Sequence, residues 1–116
     1  MNIQRFIPAK AHKAHNETIL ASAFVPAGMR APFDAAWGYL ENDSAMEAHA
    51  HPTAEIYVVI RGQGTVHVGD EQEAVGPGDV IEIPPDATHT MSCQSDGPLL
   101  WAALWWPVES RGQIPQ

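Results

Sequence analysis

The feature that most constrains this chain is its punctuation. Ten prolines and nine glycines are scattered through 116 residues, and they cut it into runs the length of a strand rather than of a long helix. Several of those runs are rich in β-branched and aromatic residues. Glu55 to Arg61 (EIYVVIR) ends at Gly62, and Gly64 to Val68 ends at the turn Gly69-Asp70. Asp79 to Ile83 lies between Gly76-Pro77-Gly78 and Pro84-Pro85-Asp86, Thr88 to Cys93 follows, and Leu99 to Trp106 closes the series. Earlier, Thr18 to Val25 and Ala35 to Glu41 read as strands, with Asn42-Asp43-Ser44 as a turn. Pro8 to Glu17 reads as one helical turn or an arm. Short strands at turn-limited spacing predict an all-β sandwich or barrel. EIYVVI alternates weakly, so both of its faces are expected to be covered. The length suits one domain, 1–116, with a core over about 35–106 and an N-terminal arm or added strands over 1–34.

Charge excludes whole classes of partner. The formal net charge is −8 with only six Lys and Arg, so no basic patch exists to neutralise a nucleic-acid backbone or to grip an anionic membrane. The apolar run Leu99 to Trp106 is far short of the roughly 20 residues needed to span a bilayer. A single cysteine, Cys93, leaves no internal disulfide. The first eight residues lack the apolar run of a signal peptide, and the expectation is a cytoplasmic protein.

Four metal-ligating side chains fall in two places. The first is His49-Ala-His51-Pro-Thr-Ala-Glu55. On a strand, residues two apart share a face about 6.6 Å from one another, so two imidazoles can reach one ion. Pro52 holds His51 extended, and Glu55 opens the next strand, from which its carboxylate can swing back. The second place is His89, after the tight turn Pro84 to Ala87. Imidazole with carboxylate suits Fe, Mn, Zn, Ni, Co or Cu, and leaves the identity of the ion open.

The run His49 to Gly62, H-A-H-P-T-A-E-I-Y-V-V-I-R-G, resembles the first motif of the cupin superfamily, and Gly78-D-V-I-E-I-P-P-D-A-T-His89 resembles the second. Three positions depart from the pattern. Asp43 and Asp86 stand where glycines are expected, and Cys93 stands where an asparagine is. Asp is acceptable in turns, so these changes leave the ligands untouched. The resemblance implies a jelly-roll β-barrel (a double-stranded β-helix) of the single-domain type. It also implies one divalent transition metal near a barrel mouth, with the ligand roles falling on His49, His51, Glu55 and His89.

Tyr57 and Met91 each lie two residues beyond a proposed ligand and are expected to line the pocket. Glu47 alternates with His49 and His51 but is expected at the rim in water. His67 is expected on an exposed strand face, and His12 and His15 on a solvated arm. Cys93 is expected to be an inert buried thiol. Within Leu99 to Trp106, one of Trp105 and Trp106 should face the core and the other an outer surface. A small barrel with so aromatic a last strand is expected to form a homodimer through Trp105-Trp106-Pro107, helped by exchange of N-terminal strands.

Fold alone does not choose a reaction. Four protein donors leave an octahedral ion two positions for a small-molecule substrate. No Lys or Arg lies near the ligands, Arg61 being at the far end of its strand, which disfavours phosphorylated substrates. The expected chemistry is a dioxygenase-type reaction on a diketone or catechol-like compound. The alternatives are an isomerase or decarboxylase of the same fold, or a non-catalytic cupin that binds a small ligand.

Overall fold

A computed structural model describes residues 1–94 and 97–107. After a single 3-10 turn at Pro8–Lys10 the described chain is all β, with no α-helix. Ten strands follow: β1 (His12–Ala14), β2 (Ile19–Ala23), β3 (Asp34–Leu40), β4 (Ser44–Ala45) and β5 (Ala54–Arg61), then β6 (Gly64–Val68), β7 (Glu71–Val75), β8 (Val80–Ile83), β9 (His89–Cys93) and β10 (Leu99–Trp106). They form two antiparallel sheets, one ordered β1-β2-β3-β10-β5-β8 and the other β4-β9-β6-β7. This is the jelly-roll arrangement expected from the short, turn-bounded runs. None of the helices is long and apolar enough to cross a membrane among the described residues.

The core lies between the sheets. Leu40, Tyr57, Val59, Ile83, Met91, Leu99 and Trp101 pack into one cluster with Ala103 and Cys93. Strand alternation supplies it: in β5, Glu55, Tyr57 and Val59 are buried, while Ile56 and Val58 are only half-buried. The outer face of this strand is therefore not fully covered, contrary to the expectation for EIYVVI. Ile60 is 45% exposed and Val80, on the neighbouring β8, 63%. Among the described residues, no further layer lies over this part of the six-stranded sheet. The tryptophan pair divides as alternation requires. Trp105 packs against the core, whereas Trp106 pairs with Ala54 in a register that puts it on the outer face.

The N-terminal residues are more ordered than an arm. His12 to Ala14 pair with Ala21 to Ile19, and β2 in turn pairs with β3, so the segment extends the six-stranded sheet. Phe6 lies against Trp37 and Tyr39 with ring centroids 5.9 and 5.3 Å away. The histidine pair of the first ligand segment is not in a continuous strand either. His49 forms an isolated bridge to His89, and Pro52, lacking an N–H, stops the ladder from running on to β5.

Turn chemistry fixes the connections. Asp43 and Asp86 have φ of 57° and 66°, the left-handed region that Asp tolerates better than most residues. Gly62 has φ +92°, and a methyl group there would overlap the Pro98 carbonyl. Gly62→Ala is thus expected to lower stability by about 2–3 kcal/mol through combined strain and overlap. Urea unfolding of the metal-free protein measures it, and a loss under about 0.5 kcal/mol would contradict the tight approach.

Candidate metal centre

Backbone pairing brings the two ligand segments together. The His49 N–H donates to the His89 carbonyl at 3.1 Å, and the His89 N–H returns a bond to the His49 carbonyl at 2.9 Å. One step away, the Asp86 N–H donates to the His51 carbonyl at 2.8 Å, tying the tight turn before β9 to the second histidine. The result is three imidazoles whose nearest ligand atoms all lie within 4.8 Å of one another. Glu55 reaches the same place from the start of β5. Its Oε1 is 3.0 Å from His51 Nε2 and 3.3 Å from His89 Nε2.

Each ring is oriented through its other nitrogen. His49 Nδ1 lies 3.0 Å from the Glu47 carbonyl and His89 Nδ1 2.9 Å from the Ala87 carbonyl. A carbonyl only accepts, so both Nδ1 atoms carry the proton, and in a neutral ring Nε2 is left with its lone pair. Thr53 Oγ1, 2.7 Å from His51 Nδ1, can accept from that ring in the same way. This is the arrangement that sets a metal-binding tautomer. Thr53 and the carbonyls of Glu47 and Ala87 were not singled out from the sequence. For Thr53 the signal was there, a hydroxyl two residues after His51.

Electrostatics test whether a cation fits. Glu55 is 6% exposed and sits between Ile83 and Trp105 as cross-strand neighbours. Its close polar contact is His51 Nε2 at 3.0 Å, which presents a lone pair when Nδ1 donates to Thr53, and a carboxylate is costly to bury without a positive partner. His89 Nε2 is buried with no hydrogen-bond partner; its 3.3 Å approach to Glu55 is close but lacks hydrogen-bond geometry. A lone pair facing a carboxylate oxygen is repulsive unless something positive stands between them. A divalent cation meets that requirement, and the residues present fit one.

Access comes from one side. The His89 side chain is fully buried, whereas that of His51 is 26% exposed and His49 is half-buried. Behind the rings lie the two residues expected to line the pocket. The Tyr57 ring meets His89 edge-on at 5.9 Å, and burial first, then the Glu55 charge, pushes its phenol well above the ordinary value of 10.0. Met91 is completely buried in the core. A surface groove of about 620 Å³ lies elsewhere, between β7 and β8, and none of the four donors lines it.

Among the remaining candidates, Glu47 is exposed at the rim and acts through its backbone. His12 is exposed on β1. His67 is half-buried rather than exposed, with its Nδ1 buried and unpartnered, because β7 and β9 flank it on both sides. His15 is the larger correction. It is not on a free arm: its ring stacks on His49 with centroids 4.0 Å apart and planes 23° from parallel. The turn between β1 and β2 carries it there.

The sequence pattern of the cupin domain family matches residues 37–107. A gentisate 1,2-dioxygenase of Haloferax is 40% identical over 43 residues, a stretch that is 37% of this chain and 12% of that protein. Among solved structures, a protein of Photorhabdus luminescens superposes with a TM-score of 0.80 at 28% identity, over 98% of this chain and 95% of its own. A conserved-barrel protein of Salinispora arenicola superposes at 0.83 and 22% identity, over the same 98% and 95%.

Two outcomes are expected. Thr53→Val, which keeps shape and removes the hydroxyl, should weaken metal binding about 10- to 100-fold by competition with a chelating dye. Unchanged affinity would remove Thr53 from the site. The second concerns pH. Burial lowers the His49 pKa below its ordinary 6.5, although the hydrogen bond to Glu47 opposes the shift. A lowered value keeps the ring neutral at pH 7, so protons compete at this residue only on acidification below 6.5. Metal affinity should fall there by up to about tenfold per pH unit for each ring that takes a proton. A profile that stays flat on acidification until the chain unfolds would contradict imidazole ligation.

Proposed function

Because this chain belongs to the cupin family, we propose that it is a metal-dependent enzyme that oxidises a small oxygenated organic substrate with dioxygen. The observation that carries this reading is the convergence of three imidazoles and one buried carboxylate on a point reachable from solvent at His49 and His51. An iron or manganese ion bound there would supply Lewis acidity and redox chemistry toward dioxygen. His49, His51, His89 and Glu55 would hold it.

The protein's own contribution is charge and shape. One carboxylate against a divalent ion leaves a single positive charge, which suits a monoanionic substrate. No Lys or Arg stands in either ligand segment, so nothing is provided for a phosphate. His89, Glu55 and Tyr57 close the inner side against water. Trp105, opposite Glu55 on the inner face, adds an aromatic wall. A hydroxylated aromatic acid or a diketone meets these demands, and the partial likeness to a gentisate dioxygenase favours the former. Oxygen uptake by the iron-reconstituted protein should follow addition of gentisate, a catechol or a diketone, and disappear in His51→Ala. Turnover without oxygen would replace this reading with an isomerase or decarboxylase; binding without turnover would leave a carrier.

We also propose that the working unit is a homodimer joined through the Trp105-Trp106-Pro107 end and the outer face of the six-stranded sheet, where Trp106 lies on the same face as exposed Ile60 and Val80 and half-buried Ile56, Val58 and Leu104. A chain of net charge −8 meets its own copy at lowest cost where it carries few charges. Light scattering should report twice the chain mass at micromolar concentration, and Val80→Glu should shift it to the monomer. A monomeric wild type would rule the dimer out.

A further inference from the structure

We propose that His15 is a positioning residue for the ligand His49, an inference that rests on the metal-site reading above. Three observations converge on it. The His15 ring stacks on His49 with near-parallel planes at 4.0 Å. Its place is set by a run of three consecutive non-glycine residues in the left-handed region, His15, Asn16 and Glu17, with φ of 51°, 58° and 65°. Such a run is unfavourable for L-residues and persists only where its surroundings enforce it. Here the enforcement is visible. Thr18 Oγ1 donates to the His15 carbonyl at 2.6 Å and accepts from the Glu47 N–H at 2.8 Å.

The same residue, Glu47, then orients His49, because its carbonyl takes the Nδ1 proton at 3.0 Å. The turn and the ligand ring are thus fastened to the two ends of one residue's backbone, and the rings close the loop by stacking. His49 needs this support. It lies outside any continuous strand, held by an isolated bridge, and is only half-buried, so its ring has no core to fix it. His15 supplies the missing wall on one face. Its ring lies face to face with that of His49, the geometry of a supporting stack rather than of a further ligand.

The test is cobalt binding to the full chain, read by calorimetry and by the visible absorption of the bound ion. His15→Ala should weaken cobalt binding about two- to tenfold, the range expected for loss of one aromatic stack, and should shift the visible bands. His15→Phe, which keeps the stack and removes the nitrogens, should restore affinity to within about twofold and restore the bands. In a His49→Ala background, His15→Ala should add no further loss. His15 is exposed, so its variants are expected to fold, and matched far-ultraviolet circular dichroism would verify it. Equal affinity and spectrum for wild type and His15→Ala would overturn the inference while leaving the metal site standing. A His15→Phe variant as weak as His15→Ala would overturn it in favour of direct ligation. Failure of the wild type to take up cobalt would overturn the metal reading itself, and this inference with it.

Discussion

The two hydrogen bonds exchanged between His49 and His89 hold the site's geometry. They join a segment that has left its sheet to the first residue of β9, and through it to the four-stranded sheet. Because the pair is antiparallel, each residue's side chain emerges on the same face as its partner's, and two imidazoles meet without either element bending further. Slipping this register by one residue would turn one ring away from the other. The neighbouring bonds, Met46 N–H to the Met91 carbonyl on one side and Asp86 N–H to the His51 carbonyl on the other, hold the register from both ends. The hydroxyl of Thr90, bonded to the Met46 carbonyl, adds to the same clamp.

Onto this frame the six-stranded sheet delivers a single charge. Glu55 is the second residue of β5, and its cross-strand neighbours are apolar on one side and aromatic on the other. The two sheets therefore contribute differently. One presents imidazole rings whose Nδ1 protons are fixed by carbonyls, and the other presents a buried carboxylate. An apolar core could have filled the same volume at lower electrostatic cost. The combination suits a cation, and its exposed side lies at His49 and His51.

Some of this was legible in the residues. Prolines and glycines gave the strand lengths, and Leu99 to Trp106 corresponds to β10 end for end. Alternation within that strand predicted that one tryptophan of the pair would turn inward, though not which. Asp43 and Asp86, read as substitutes for turn glycines, do adopt positive φ. The outer face of β5 was misread, because a weakly alternating strand gives no sign of whether a second layer exists to cover it. His15 was misread for a related reason. A histidine in an Ala-rich polar stretch looks like any solvated residue, and the contact that gives it meaning is made across the fold.

The sequence by itself determined the all-β character and the turn positions, and it singled out His49, His51, Glu55 and His89 as candidate donors, because strand periodicity and turn chemistry are local and act over a few residues. Only the tertiary structure decided that two carbonyls and a threonine set the ring tautomers and that Glu55 is sealed between Ile83 and Trp105. It alone decided that a left-handed turn near the N-terminus lays His15 on His49. These depend on which strands lie side by side and in what register, and that is set by the packing of the whole barrel rather than by any stretch of chain.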